Sequence, residues 1–100
     1  MKSNKEHYKD IILNIIEKHV PNAKIILYGS RARKDHKEGS DIDIALDLDL
    51  GKKIDRIKII NILDDLDESL LPIEYDVVDF NNVSEDMQSE ILKDGVVWKS

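Results

Sequence analysis

The chain has no cysteine, which excludes disulfide bridges and thiolate zinc sites and is compatible with a reducing compartment. It has no apolar run of membrane-spanning length. The basic opening Met1-Lys2-Ser3-Asn4-Lys5 leads into an apolar stretch interrupted by Asp10 and Asn14, with no small-residue cleavage site, so no secretory leader is expected. An excess of positive charge is missing as well. The formal net charge is −6, with acids spread through the middle and C-terminal half, which argues against nonspecific binding to nucleic acid and favours a basic partner. No internal repeat or low-complexity linker interrupts the chain. These absences leave a cytoplasmic soluble protein, with no membrane and no direct nucleic-acid contact, as the expectation. Its 100 residues are enough for one core, so residues 1–100 are expected to form a single domain.

What is present centres on Leu27-Tyr28-Gly29-Ser30-Arg31-Ala32-Arg33 and Gly39-Ser40-Asp41-Ile42-Asp43-Ile44-Ala45. The apolar run Ala23 to Tyr28 predicts a buried strand, and Gly29-Ser30 suits a tight turn into a short helix whose first N–H groups can receive an anion. Gly29 lets backbone approach a phosphate, and Ser30 can cap the helix with its hydroxyl on the same anion. Asp41 and Asp43 are two apart on a predicted strand and therefore share a face, with Ile42 and Ile44 on the other. Paired carboxylates repel until they share divalent cations, and Mg²⁺ favours one or two carboxylates plus phosphate oxygens. The pattern points to a nucleoside triphosphate whose phosphates lie on Gly29 and Ser30 while Asp41 and Asp43 hold the metal.

Around this centre the periodicities place the other elements. Tyr8, Ile11, Ile12, Ile15 and Ile16 predict an amphipathic helix over Lys5 to His19, ended by Val20-Pro21-Asn22. A short helical turn spans Ser30 to Lys34. Arg31 and Arg33 diverge on it, so they cannot both face one phosphate, though either can assist the triphosphate. Asp35 to Gly39 reads as a polar loop, and His36 has no second histidine at ligand spacing. Strict alternation from Asp41 to Leu50 predicts one strand with Leu48 and Leu50 on the apolar face, Asp47 and Asp49 solvated, and Ala45 small enough to lie beside a ligand. Ile54 to Leu66 forms a second long helix, and Asp64, Asp65, Asp67 and Glu68 read as its solvated and partner-facing end. On the strand Ile73 to Phe80, Glu74, Asp76 and Val78 share one face while Tyr75, Val77 and Asp79 share the other, which leaves Asp76 and Asp79 equal candidates for the site. Ser84 caps a last helix, Glu85 to Lys93, with Gly95 just past it; Trp98 closes the chain as an anchor or, far from the motif, as an adenine-stacking residue.

Gly29-Ser30, ten residues and Asp41-x-Asp43 resemble the signature of the polymerase-beta-like nucleotidyltransferases, and the short chain resembles their minimal nucleotidyltransferase (MNT) branch. The resemblance spans nearly the whole chain and implies an α/β fold: a small mixed β-sheet with flanking helices, like the polymerase beta palm. Of the two later aspartates it selects Asp76 as the third carboxylate. Lys34 stands where many relatives have glycine.

The implied reaction is nucleotidyl transfer, with Asp41, Asp43 and Asp76 as catalytic and metal-holding acids for two Mg²⁺ ions. Gly29 and Ser30 would fix the phosphates of ATP, and Arg31 or Arg33 would assist. Enzymes of the family with their own acceptor-binding domain are longer, so the acceptor is expected to be small or to be presented by another protein. Resemblance to the MNT branch implies a hetero-oligomer with a HEPN-domain ribonuclease toxin, this chain being an antitoxin that transfers AMP to a tyrosine of its partner. Two alternatives are a non-catalytic antitoxin that neutralises by binding, and nucleotidyl transfer to a small-molecule hydroxyl.

Overall fold

A computed structural model describes residues 4–34 and 41–100, with side chains described from residue 8 onward. The expected polar loop Asp35 to Gly39, with His36, lies outside the described residues. Helix α1 (Asn4–His19) leads to strand β1 (Lys24–Tyr28), the short helix α2 (Gly29–Arg33) and strand β2 (Ile42–Asp47). Helix α3 (Arg56–Glu68), strand β3 (Tyr75–Asp79), helix α4 (Glu85–Asp94) and strand β4 (Val96–Lys99) follow. The strands form one mixed sheet in the order β3-β2-β1-β4, with β1 antiparallel to β2 and β4, and β2 parallel to β3. This is the mixed α/β sheet with flanking helices that the resemblance implies.

Both faces of the sheet are covered. On one, Ile25, Ile44, Leu46 and Val77 pack with Ile12 and Ile16 of α1 and Ile62 and Leu66 of α3. On the other, Ile26, Tyr28 and Ala45 pack with Phe80 and with Ile91 of α4. Ala45 is therefore buried beneath α4, and its small side chain serves packing rather than ligand contact. Trp98 packs against the first core with the Lys9 ammonium 5.7 Å from its ring centroid, on the sheet face opposite Asp43. This packing is the anchor role expected of it.

β2 is shorter than its alternation predicts. Its antiparallel partner ends at the pair Lys24 and Asp47, and the chain then turns through Asp49–Gly51, leaving Leu50 at φ 64° and 92% exposed. Several expected surface acids carry structure instead. Asp47 accepts a 3.0 Å hydrogen bond from the Asn81 amide, which also donates to the carbonyls of Leu48 and Lys52 and so fixes the path from β2 to α3. Asp65 pairs with His19 at 2.6 Å and with Lys18 at 3.6 Å, and Asp67 accepts from the Tyr75 hydroxyl. The end of α3 is thus tied to α1 and β3, and only Asp64, Asp67 and Glu68 remain exposed there.

Ser84 caps α4 as expected, its hydroxyl accepting from the Met87 N–H at 3.2 Å. Gly95 has an ordinary φ and owes its identity to crowding: a Cβ there would strike the Ile91 carbonyl and come within 2.7 Å of Ile26 Cγ2.

Candidate active site

Strand register builds the site. Tyr28, the last residue of β1, lies opposite Asp43 on β2, and Asp43 lies beside Asp76 on β3. Direct partners in adjacent strands point to the same face. Tyr28, Asp43 and Asp76 therefore stand in a row across three strands, at the edge of the core formed by Ile26, Ala45 and Phe80. Asp41 precedes β2 by one residue and is exposed. The pairing also separates the two candidates on β3. Asp76 lies beside Asp43, whereas Asp79 turns to the other face, where it accepts hydrogen bonds from the N–H groups of Ile54 at 2.8 Å and Asn81 at 3.1 Å.

Gly29 follows Tyr28 directly and adopts φ +76°. A Cβ at this position would lie 2.5 Å from Asp43 Oδ2, so the missing side chain is what lets the turn sit against the carboxylate. Ser30 does not cap α2. It lies within the helix, and the N-cap position is Tyr28, whose side chain makes no capping hydrogen bond. The helix ends at Lys34 in the left-handed conformation (φ 65°, ψ 21°), a geometry that favours glycine, so lysine keeps the turn at some backbone cost.

The electrostatics follow from this crowding. Burial, then the neighbouring Asp76 and Asp41 charges, raise the Asp43 carboxyl above its usual range, while Arg33 pulls it back. Burial, then the Asp43 and Asp76 carboxylates, push the Tyr28 phenol to about 12. Arg33 also reaches Asp94 at the end of α4, with 3.5 Å between Nη1 and Oδ2. Arg31 is half-buried on α2.

The donor set suits a hard divalent cation. Mutual repulsion that raises Asp43 is the kind of cost a shared cation relieves, and all the groups are oxygen ligands. Among the described residues no three acids or histidines converge into a ready-made cage.

Tyr28 and Asp94 are the neighbours that sequence reading missed. The signal for Tyr28 was its position two residues after the inward Ile26 on the same strand; Asp94 is 61 residues from Arg33 and no local pattern could announce it.

Comparison with known proteins gives the family. A sequence profile described as "Polymerase beta, Nucleotidyltransferase" matches residues 10–100. No curated protein matches the chain significantly. Among solved structures, one described as a toxin-antitoxin with AMP-PNP superposes with a TM-score of 0.75 at 23% identity, covering 92% of this chain and 73% of that one. A second, tri-AMPylated HEPN toxin from Shewanella oneidensis in complex with MNT antitoxin, gives 0.72 at 22% identity over 95% and 72%. A third protein, provisionally described as a minimal nucleotidyltransferase, gives 0.70 at 20% identity over 93% and 91%. With a family profile spanning residues 10–100 and a fold shared with minimal nucleotidyltransferases, the chain belongs to the polymerase beta nucleotidyltransferase family.

Proposed function

We propose that this protein is the antitoxin of a toxin–antitoxin pair and acts as an adenylyltransferase, moving AMP from ATP to a tyrosine hydroxyl of a HEPN-domain ribonuclease toxin. The observation that carries the proposal is the strand register that sets Asp43 against the Gly29 turn on one side and Asp76 on the other. The partner and the transferred group are supported by the two similar complexes, one with AMP-PNP and one with a tri-AMPylated HEPN toxin. A net charge of −6 suits a basic partner.

In this mechanism the Gly29 backbone and the Ser30 hydroxyl hold the β and γ phosphates, and Arg31 or Arg33 adds a guanidinium. Asp41, Asp43 and Asp76 would hold two Mg²⁺ ions. When bound, such ions neutralise the triphosphate and its leaving pyrophosphate and acidify the attacking hydroxyl. Asp76 lies on the acceptor side and takes the tyrosine proton as the hydroxyl oxygen bonds to the α-phosphorus and the bond from that phosphorus to the bridging oxygen breaks. Fixed positions and fixed charges supply most of the rate.

The test is intact-mass analysis of the HEPN partner after incubation with this protein, ATP and Mg²⁺. Wild type is expected to add one AMP per modified tyrosine, and the Asp41→Ala, Asp43→Ala protein none. An unchanged partner mass with wild type overturns the proposal. Neutralisation that survives in the double variant without any mass change would establish a purely binding antitoxin instead.

A further inference from the structure

Asp94 occupies an electrostatically poor place. It is the last residue of α4, where the helix already carries partial negative charge, and a carboxylate there is unfavourable unless another group compensates. Its side chain is 22% exposed and pairs with Arg33 of α2 at 3.5 Å.

The two partners are held very differently. Ile91 anchors α4 in the core with Ile26, Tyr28 and Ala45, and the crowding at Gly95 presses the end of the helix onto β1 before the chain enters β4. Asp94 is thus fixed from both sides. Helix α2 has five residues, none of them buried, no side-chain N-cap, and a C-cap in the left-handed region. A long arginine on so lightly anchored a turn loses much of its freedom when its fork is held. Asp94 belongs to the helix that packs through Ile91 on the sheet face of Tyr28 and Ala45, the face that also carries Asp43, so the paired guanidinium lies on the site side of the sheet.

We propose that Asp94 is a positioning residue that holds Arg33 at the edge of the acidic row, presenting its guanidinium to the bound polyphosphate. This rests on the nucleotidyl-transfer reading, and it assigns the phosphate-facing role to Arg33 rather than Arg31. The Arg33 side chain is 43% exposed, so the pair with Asp94 does not bury it.

The test is calorimetric affinity for Mg²⁺ with AMP-PNP, measured on the full chain and independent of transfer. Asp94→Asn is expected to weaken binding roughly 2- to 5-fold, the size of one partly exposed ion pair, with the melting temperature unchanged. Asp94→Glu is expected to restore most of the loss. Arg33→Ala is expected to weaken binding further, and adding Asp94→Asn to it to change nothing more, because the aspartate acts only through the arginine. Wild-type affinity in Asp94→Asn, or full additivity in the double variant, overturns the proposal. Nucleotide binding without AMP transfer to the partner overturns the proposed acceptor but leaves this comparison readable. Absence of nucleotide binding in wild type overturns both.

Discussion

Replacing Gly29 with alanine tests the contact on which the site is built. The new methyl would lie 2.5 Å from Asp43 Oδ2 and 3.3 Å from its Cγ, about 0.9 Å short of the 3.4 Å edge of ordinary van der Waals contact. The struck atom is the tip of the Asp43 side chain, so the carboxylate relieves the clash by turning away from the Gly29 turn and out of its place beside Asp76. The φ of +76° adds strain of roughly 1–2 kcal/mol for any L side chain. Gly51 provides the matched control: its φ is +69°, yet nothing lies within 4 Å of a Cβ placed there. Both Gly29→Ala and Gly51→Ala are therefore expected to lower the melting temperature by roughly 5–15 °C. Only Gly29→Ala is expected to lose AMP transfer, by roughly 100-fold, as befits a reacting group displaced by about 1 Å. The assays are thermal unfolding by circular dichroism and the rate of AMP incorporation into the partner. Equal activity losses in the two variants, or full activity in Gly29→Ala, would refute the reasoning.

Two further outcomes follow from other contacts. Asp76→Asn is expected to cut the transfer rate by roughly 100- to 10,000-fold with little loss of stability, while Asp79→Ala leaves two backbone N–H donors unsatisfied and costs about 1–3 kcal/mol in denaturant unfolding, with turnover of the folded molecule near wild type; the reverse order would move the base to Asp79. The hydrogen bond from His19 holds the Asp65 carboxyl below its usual 3.8, so its stabilisation is present above that pH and is lost as pH falls through the lower folded value. Asp65→Asn is expected to be less stable at neutral pH and to flatten the acid limb of the stability profile below about pH 4, and an unchanged limb would refute the linkage.

Much of the site was legible because its signals are local. The apolar run before Gly29 and the alternation through Asp41 and Asp43 are read directly from strand periodicity, and the structure forms strands at both. What stayed hidden depends on partners distant in sequence. Alternation showed that Asp76 and Asp79 face opposite ways, but only the parallel pairing of β3 with β2 says which face meets Asp43. Asp47, Asp65 and Asp67 read as solvated acids because their partners, Asn81, His19 and Tyr75, belong to other segments. Leu50 continues the apolar alternation yet leaves the sheet, since the end of β1 leaves β2 no partner beyond Asp47 on that side. Ser30 was expected to cap the short helix, and its place inside α2 rather than at the cap required the backbone.

The most direct measurement is paramagnetic broadening of backbone amide NMR signals by Mn²⁺ added together with AMP-PNP. If a metal-bound polyphosphate lies between the Gly29 turn and the acidic row, the amides of Gly29, Ser30, Asp43 and Asp76 are expected to broaden first, with Asp65 on the far face and Lys52 beyond β2 left sharp. Broadening centred on the end of α3, or none at Gly29 and Asp43 with nucleotide present, would contradict the account.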